Sequence, residues 1–243
     1  KAARYGAMNS AKTLTILPTV SRAFLDDWLA VLRRDCSARQ MADFLDKTGL
    51  SAVNGARGRV THDQIVRLYQ MVVAETGDEM MGLCSRTIRP GALKHLCASV
   101  RGASSLSAAL FRFTSFWNLL LDDYEMTLEN DGETLRMALL PRGDQAPQRF
   151  GHMLLLKLTH GVASWLAGYE LPLTSVGFCF ERPEFAADYP ILFPAAIRFG
   201  QAQSYVSFDA SVGPMPVSRT EAEMQEFLIR APRDWIFTSL NEH

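Results

Sequence analysis

The chain has 243 residues, of which 48% are hydrophobic and 21% are charged, and its formal net charge is -1 at pH 7. This length and apolar content are enough to bury a large core in one domain or in two closely packed lobes. The near-neutral charge excludes the broad basic surface by which proteins bind nucleic acid, so contact with DNA would require another segment.

The sequence contains no pattern typical of a metal site, a membrane span or a secretion signal. Its four cysteines lie far apart without a C-x-x-C pair, which excludes the zinc-ribbon and thioredoxin-like patterns. The longest apolar stretch, 153–158, is interrupted by Lys157 and is far shorter than the roughly 20 residues of a bilayer crossing. We therefore expect a cytoplasmic protein without a metal or cofactor. Residues 1–20 are expected to be an N-terminal arm, or in part residues that precede a native start at Met8.

The first half of the chain is predicted to be helical. Ser21 is a helix N-cap before an apolar pattern with helical spacing, and Ser37 begins a second helix that stops before Gly49. Thr61 and Gln64 form a capping box for a third helix. Further helices are predicted around 80–83, over 92–100 and over 104–122.

The second half mixes strands with helices. Alternating apolar residues predict a hairpin over 124–139, with its turn at 130–132, and a long helix from Pro147 to Gly168. Further predicted elements are strands at 176–180, 197–199 and 205–208, a short helix through Phe185 and Tyr189, and a closing helix at 220–230. The predicted fold class is α+β, in a single domain over 21–243. Its helical part, 21–122, precedes a mixed part, 123–243, in which a small, mostly antiparallel sheet packs against long helices.

The sequence contains none of four common catalytic or cofactor-binding motifs. H-E-x-x-H, G-x-S-x-G, S-x-x-K and G-x-G-x-x-G are all absent. His152 and His160 lie two helical turns apart and cannot share a metal ion without other ligands, and no motif supports a haem site at either. One enzyme hypothesis remains, in which Cys97 or His152 acts together with a carboxylate.

Aromatic and basic residues on the long helices and late strands indicate a second kind of site. They could simply pack in the core, or they could line a mostly apolar pocket in which a few polar groups orient a small molecule. Lys157 falls near the apolar face of its helix, where its amine could also reach solvent by snorkelling. The ligand-binding candidates are Phe113, Phe116, Trp117, Lys157, His160, Trp165 and Arg198.

An ordered series of motifs covers the last quarter of the chain. These are Phe180-Glu181-Arg182-Pro183, Tyr189-Pro190-Ile191-Leu192-Phe193, Ala196-Ile197-Arg198-Phe199-Gly200, Val206-Ser207-Phe208-Asp209 and Met215-Pro216. Their order and spacing resemble the N-terminal ligand-binding domain of AraC-family transcription regulators, in the arabinose-binding-type group that includes ornithine- and arginine-responsive regulators. Weaker similarity extends the match to Ser21–His243. The sequence departs from the group at Ala196, Val206 and Met215, where Pro, Leu and Leu are usual.

The resemblance implies the effector-sensing domain of a bacterial, cytoplasmic regulator and no enzyme activity. A small metabolite, amino-acid-like or fatty acyl, would bind here and bias the parent protein toward or away from its promoter. DNA would be contacted only by a C-terminal helix-turn-helix domain that is absent from this chain. The alternatives are a non-sensing dimerisation module of the same regulator, which would form a homodimer, and a small hydrolase-like enzyme.

Overall fold

The computed structural model describes residues 19–55, 57–143 and 148–237. The predicted arm up to residue 18 and the predicted first helical turn at Pro147 lie outside these ranges.

The first half is helical, as predicted. A short antiparallel pair of strands, β1 (Thr19–Ser21) and β2 (Arg59–Thr61), joins its first helices, so Thr19 and Val20 belong to a strand and not to the arm. Val20 is fully buried. The helices are α1 (Arg22–Asp35), α2 (Ala38–Lys47), α3 (His62–Thr76), α4 (Ala92–Arg101) and α5 (Leu106–Leu120).

Side-chain caps define where these helices begin. The Ser21 hydroxyl accepts a hydrogen bond from the Phe24 amide at the start of α1. Reciprocal capping boxes begin α2 at Ser37 and α3 at Thr61. Such caps satisfy amides that have no partner within the helix. The predicted helix starts at all three positions are therefore confirmed.

The helix predicted around 80–83 is wrong, because this segment forms consecutive turns. The buried carboxylate of Asp78 accepts hydrogen bonds from the amides of Met80 (3.0 Å), Gly82 (2.8 Å) and Ile88 (2.9 Å). A charged acceptor that binds three amides holds them in a loop and competes with the helical hydrogen-bond pattern.

The second half contains a five-stranded sheet with the strand order β3-β4-β7-β5-β6. Only the β5–β6 pair is parallel, so the predicted mostly antiparallel sheet is confirmed. The hairpin predicted from the alternation of apolar residues is confirmed as the β3–β4 pair. Strand β7 pairs with the other edge of β4. The strands are β3 (Tyr124–Asn130), β4 (Thr134–Pro141), β5 (Ser175–Gly177), β6 (Ile197–Arg198) and β7 (Ser204–Asp209).

Strand β5 is shorter than the predicted 176–180 because the following aromatic residues leave the sheet and pack together. The ring of Phe178 stacks on Phe180 at 5.0 Å and on Phe199 at 5.7 Å, and it meets Tyr189 edge-on at 4.9 Å. The alternation in the sequence thus reflects an aromatic cluster at the sheet edge as well as a strand.

Four helices complete the fold: α6 (Arg149–Ala167), α7 (Tyr189–Leu192), α8 (Glu221–Arg230) and α9 (Arg233–Ile236). The short helix α9 was not predicted. Helix α6 lies between α1, α5, α9 and the sheet, so the whole arrangement is the predicted α+β class. None of the helices in the described ranges is long and apolar enough to cross a bilayer.

Candidate functional site

Helix α6 is the centre of the molecule. Each of its residues from Phe150 to Leu166 is buried. A helix covered on all sides can keep polar side chains only if other buried groups provide hydrogen bonds for them. Five polar side chains of α6 are at most 1% exposed, and three of them are ionisable: His152, Lys157 and His160.

Lys157 and His160 form a buried polar pair. The Lys157 amine lies 3.2 Å from Nδ1 of His160, and Nε2 of His160 lies 2.8 Å from the carbonyl oxygen of Leu171. Because a carbonyl only accepts, Nε2 carries the imidazole proton and Nδ1 accepts from the amine. The Lys157 amine also lies 5.6 Å from the ring centre of Phe193. The interpretation that Lys157 reaches solvent by snorkelling is therefore wrong.

Burial changes the ionisation of this pair. Desolvation lowers the pKa of Lys157 to about 7 against the opposing attraction of Glu170. Desolvation, with repulsion from Lys157, lowers the pKa of His160 to about 3. The imidazole is therefore neutral at pH 7, and the amine is close to its titration midpoint.

His152 belongs to a separate network beside the sheet. Its Nδ1 lies 2.8 Å from the Ser204 hydroxyl, which also accepts a hydrogen bond of 3.0 Å from the Cys179 amide. Burial lowers the pKa of His152 to about 4. Cys97 is fully buried, and burial raises the pKa of its thiol to about 12. Neither residue has a carboxylate among its described hydrogen-bond partners, so the geometry does not support the enzyme hypothesis.

A small apolar cavity lies on another side of α6, where α3, α5 and α9 meet it. Trp117 of α5 and Trp235 of α9 form two of its walls, and Leu154, Leu155 and Leu158 of α6 form a third. Its free volume is about 10 Å³, which is room for about one water molecule. The remaining lining residues are Tyr69, Glu79, Met80 and Leu93.

Only some of the polar atoms around this cavity have hydrogen-bond partners. The Tyr69 hydroxyl donates to the carbonyl oxygen of Glu79 at 3.2 Å. The Glu79 carboxylate accepts from the amides of Gly91 at 2.6 Å and Leu93 at 2.8 Å. Within the described ranges, the indole N–H groups of Trp117 and Trp235 are buried without an acceptor. Both tryptophans that line the cavity therefore carry a buried donor without a described acceptor, and each such donor costs roughly 1–3 kcal/mol.

The structure brings together only some of the predicted ligand-binding residues. Phe116 and Phe113 contact Trp117, with ring centres at 5.7 and 6.4 Å, and Trp117 lines the cavity. Lys157 and His160 lie beside the sheet and outside the cavity lining. Trp165 stacks on Phe227 of α8 at 4.7 Å, and Arg198 is exposed on β6.

Sequence reasoning missed Trp235, Tyr69 and Glu79. Tyr69 lies within the third predicted helix, and Trp235 lies within the region of weaker similarity, but neither position distinguishes a cavity wall from a core residue. Two larger open grooves, of about 910 and 1230 Å³, are lined mainly by polar residues and include none of the predicted ligand-binding residues. The described residues contain no group of three or more side chains able to hold a metal ion.

Comparisons with known proteins agree with the resemblance seen in the motifs. The model of the arabinose-binding domain of AraC transcription regulators, an N-terminal domain, matches residues 39–217. This family consists of regulator domains and is not an enzyme family. No curated protein sequence matches the chain.

One similar solved structure is that of the transcriptional regulator CdpR from Pseudomonas aeruginosa, with 16% sequence identity and a TM-score of 0.42. The alignment covers 83% of this chain and 59% of that chain. This structural similarity is too low to carry an argument about function. The family match spans well over half of the sequence, and the chain therefore belongs to the family of N-terminal arabinose-binding domains of AraC transcription regulators.

Proposed function

We propose that this domain senses a small-molecule effector and thereby controls DNA binding by a helix-turn-helix domain elsewhere in a full-length cytoplasmic regulator. Family membership supports a regulatory ligand-binding role. The net charge of -1 also fits, because a domain that held DNA itself would need a concentrated positive surface. In this proposal the domain contacts a metabolite and has no catalytic activity.

The observation that carries the proposal is the match of the arabinose-binding domain model over residues 39–217. A candidate location for the ligand is the cavity bounded by Trp117 and Trp235, which is lined mainly by apolar side chains as small-molecule sites are, although its walls must move before a ligand can enter a free volume of about 10 Å³. Trp117, with Phe113 and Phe116 behind it, is the part of the predicted ligand-binding set that reaches it. We propose that these three aromatic residues bind the effector or support the residues that do.

The direct test is mass spectrometry of small molecules that copurify with the native protein, followed by thermal unfolding with each compound found. At a concentration of 100 times Kd, a ligand that binds only the folded state stabilises it by about 2.7 kcal/mol. For a domain of this size we expect the melting temperature to rise by roughly 5–10 °C. If no copurified compound and no fraction of a metabolite extract raises it, the sensing function is contradicted.

A second candidate function, dimerisation, is favoured by the outer face of α5. Phe111 is 64% exposed and Leu119 is 77% exposed on this helix. They lie eight residues apart, which places them on one face two turns apart. Large apolar side chains exposed together are typical of contact surfaces.

If α5 forms a two-fold interface, the double substitution of Phe111 and Leu119 by serine should convert a homodimer into a monomer. Sedimentation velocity would measure this change. Ile229→Ser is the matched control, because Ile229 is 78% exposed on a different helix, α8. A monomeric unsubstituted protein at high concentration would contradict this interface.

A further inference from the structure

Helix α9 closes the cavity and packs mainly on α6. It lies directly on α6 at Gly161, where a Cβ atom would come within 2.5–2.6 Å of the Cα, Cβ and carbonyl oxygen of Trp235. On its other side, Arg233 forms an ion pair with Asp63 of α3. The ring of Phe237, immediately after α9, stacks on His62 at 3.5 Å.

The size of the cavity determines how a ligand could enter. Space for about one water molecule cannot hold a metabolite, whereas a cavity that binds benzene has a volume of about 150 Å³. Most walls belong to long helices that pack on several neighbours. Glu79 and Met80 belong to a loop, and Trp235 is carried by a helix of only four residues. A helix this short is held mainly by its packing, so Trp235 is the wall whose movement disrupts the least regular structure.

The chemistry of the walls defines the class of ligand. Five of the lining side chains are aliphatic, which favours an apolar body. The indole N–H groups of Trp117 and Trp235 have no acceptor among the described residues, which favours a ligand with an acceptor such as a carbonyl or ether oxygen. The Glu79 carboxylate on the same wall disfavours an anion, because like charges repel strongly where water is excluded.

We propose that this cavity is the effector site, that it takes an uncharged, mostly apolar molecule with a hydrogen-bond acceptor, and that binding moves Trp235 and with it α9. This inference rests on the proposed sensing function and gives it a location and a ligand class. Movement of α9 would change the direction in which the chain continues beyond Phe237. Effector binding would thus change the position of the segment that follows through the movement of one short helix.

Nuclear magnetic resonance of the indole N–H groups tests the site directly. The four tryptophans give separate indole signals, which single Trp→Phe variants assign. Three probes of similar size separate the chemistry: acetophenone has an uncharged acceptor, toluene has none and benzoate is an anion. We expect acetophenone to shift the signals of Trp117 and Trp235, toluene to bind more weakly, and benzoate to leave both signals unchanged.

Trp117→Phe should weaken acetophenone binding roughly 5–10-fold, the effect of losing one hydrogen bond. Trp28→Phe is the matched control. Its indole N–H is also buried without a described acceptor, but Trp28 stacks on Phe150 and does not line the cavity. Acetophenone affinity should be unchanged in this variant. Trp235→Phe provides the same measurement if Trp117→Phe fails to fold by circular dichroism.

Two results would overturn the site. One is that acetophenone at its solubility limit shifts neither the Trp117 nor the Trp235 signal. The other is that benzoate binds the cavity as tightly as acetophenone, which would make the ligand class wrong. A copurified compound that raises the melting temperature but shifts only other indole signals overturns this site and leaves the sensing function standing.

Discussion

Replacing Gly161 with alanine is expected to undock α9 from α6 and to destabilise the domain by about 1–3 kcal/mol. The added methyl group would lie 2.5–2.6 Å from atoms of Trp235, two of which belong to the backbone and cannot move as a side-chain rotamer can. Helix α6 gains up to about 1 kcal/mol from an alanine in place of glycine, but this is less than the cost of the overlap. The overlap is relieved most easily by displacement of the four-residue helix.

Hydrogen exchange measures this displacement, with faster exchange expected for the amides of α9 while the amides of α6 stay protected. Trp235, now 2% exposed, should also become accessible to a fluorescence quencher. Gly151→Ala is the matched control on the same helix, because its methyl group would meet only the end of the Gln148 side chain at 3.1 Å and the Leu83 Cβ and carbonyl oxygen at 3.6 Å. Equal exchange of α9 in the Gly161 variant and the unsubstituted protein would show that α9 is not held against α6 in this way.

The helices and the hairpin could be predicted because their signals are local. Ser21, Ser37 and Thr61 each hydrogen-bond to amides within three residues, so a short stretch of sequence contains the whole cap. The β3–β4 hairpin is local as well, because its turn lies directly between two stretches in which apolar and polar residues alternate. These features depend little on the rest of the chain.

The errors occur where distant residues decide the conformation. The 80–83 segment has helix-forming residues, but the Asp78 carboxylate binds amides as far along the chain as Ile88 and holds a loop. Helix α9 has only four residues and is stabilised by contacts with Asp63 of α3 and Gly161 of α6. These partners lie 170 residues from Arg233 and 74 residues from Trp235 along the chain. Propensity within a short window cannot reveal such an element.

The candidate site was harder to predict than the fold for the same reason. Its walls come from α3, α4, α5, α6, α9 and the 77–88 loop, and no spacing rule relates Tyr69 to Trp235. The helix predicted over 104–122 correctly indicates a buried position for Trp117. Such helical spacing cannot indicate that the indole N–H groups meet no acceptor among the described residues, because this depends on the arrangement of six separate segments.

Replacing Lys157 with methionine is expected to remove a pH-dependent penalty on folding of on the order of 4 kcal/mol at pH 7, of which the loss of the hydrogen bond to Nδ1 of His160 offsets about 1–3 kcal/mol at every pH. The amine is 1% exposed, and burial lowers its pKa from 10.5 to about 7 in the folded state. Between these two values the unfolded chain binds a proton that the folded protein does not bind. Lys157 therefore destabilises the fold fully below about pH 7, and this penalty disappears as the pH rises toward 10.5.

The stability difference between the variant and the unsubstituted protein should accordingly shrink as the pH rises from 7 to 10. Urea unfolding at several pH values measures the free energy of unfolding of both proteins. The variant is compared with the unsubstituted protein at each pH because other buried groups, such as the Cys97 thiol, titrate at alkaline pH in both proteins and cancel in the difference. Lys94→Met is the control: Lys94 is exposed on α4, so its substitution should change stability by no more than about 0.5 kcal/mol at any pH. A difference that did not vary with pH would show that the Lys157 amine keeps its ordinary pKa and is hydrated in solution. The expected slope, in contrast, would show that the domain retains a costly buried amine beside the sheet, as natural proteins do where function opposes maximal stability.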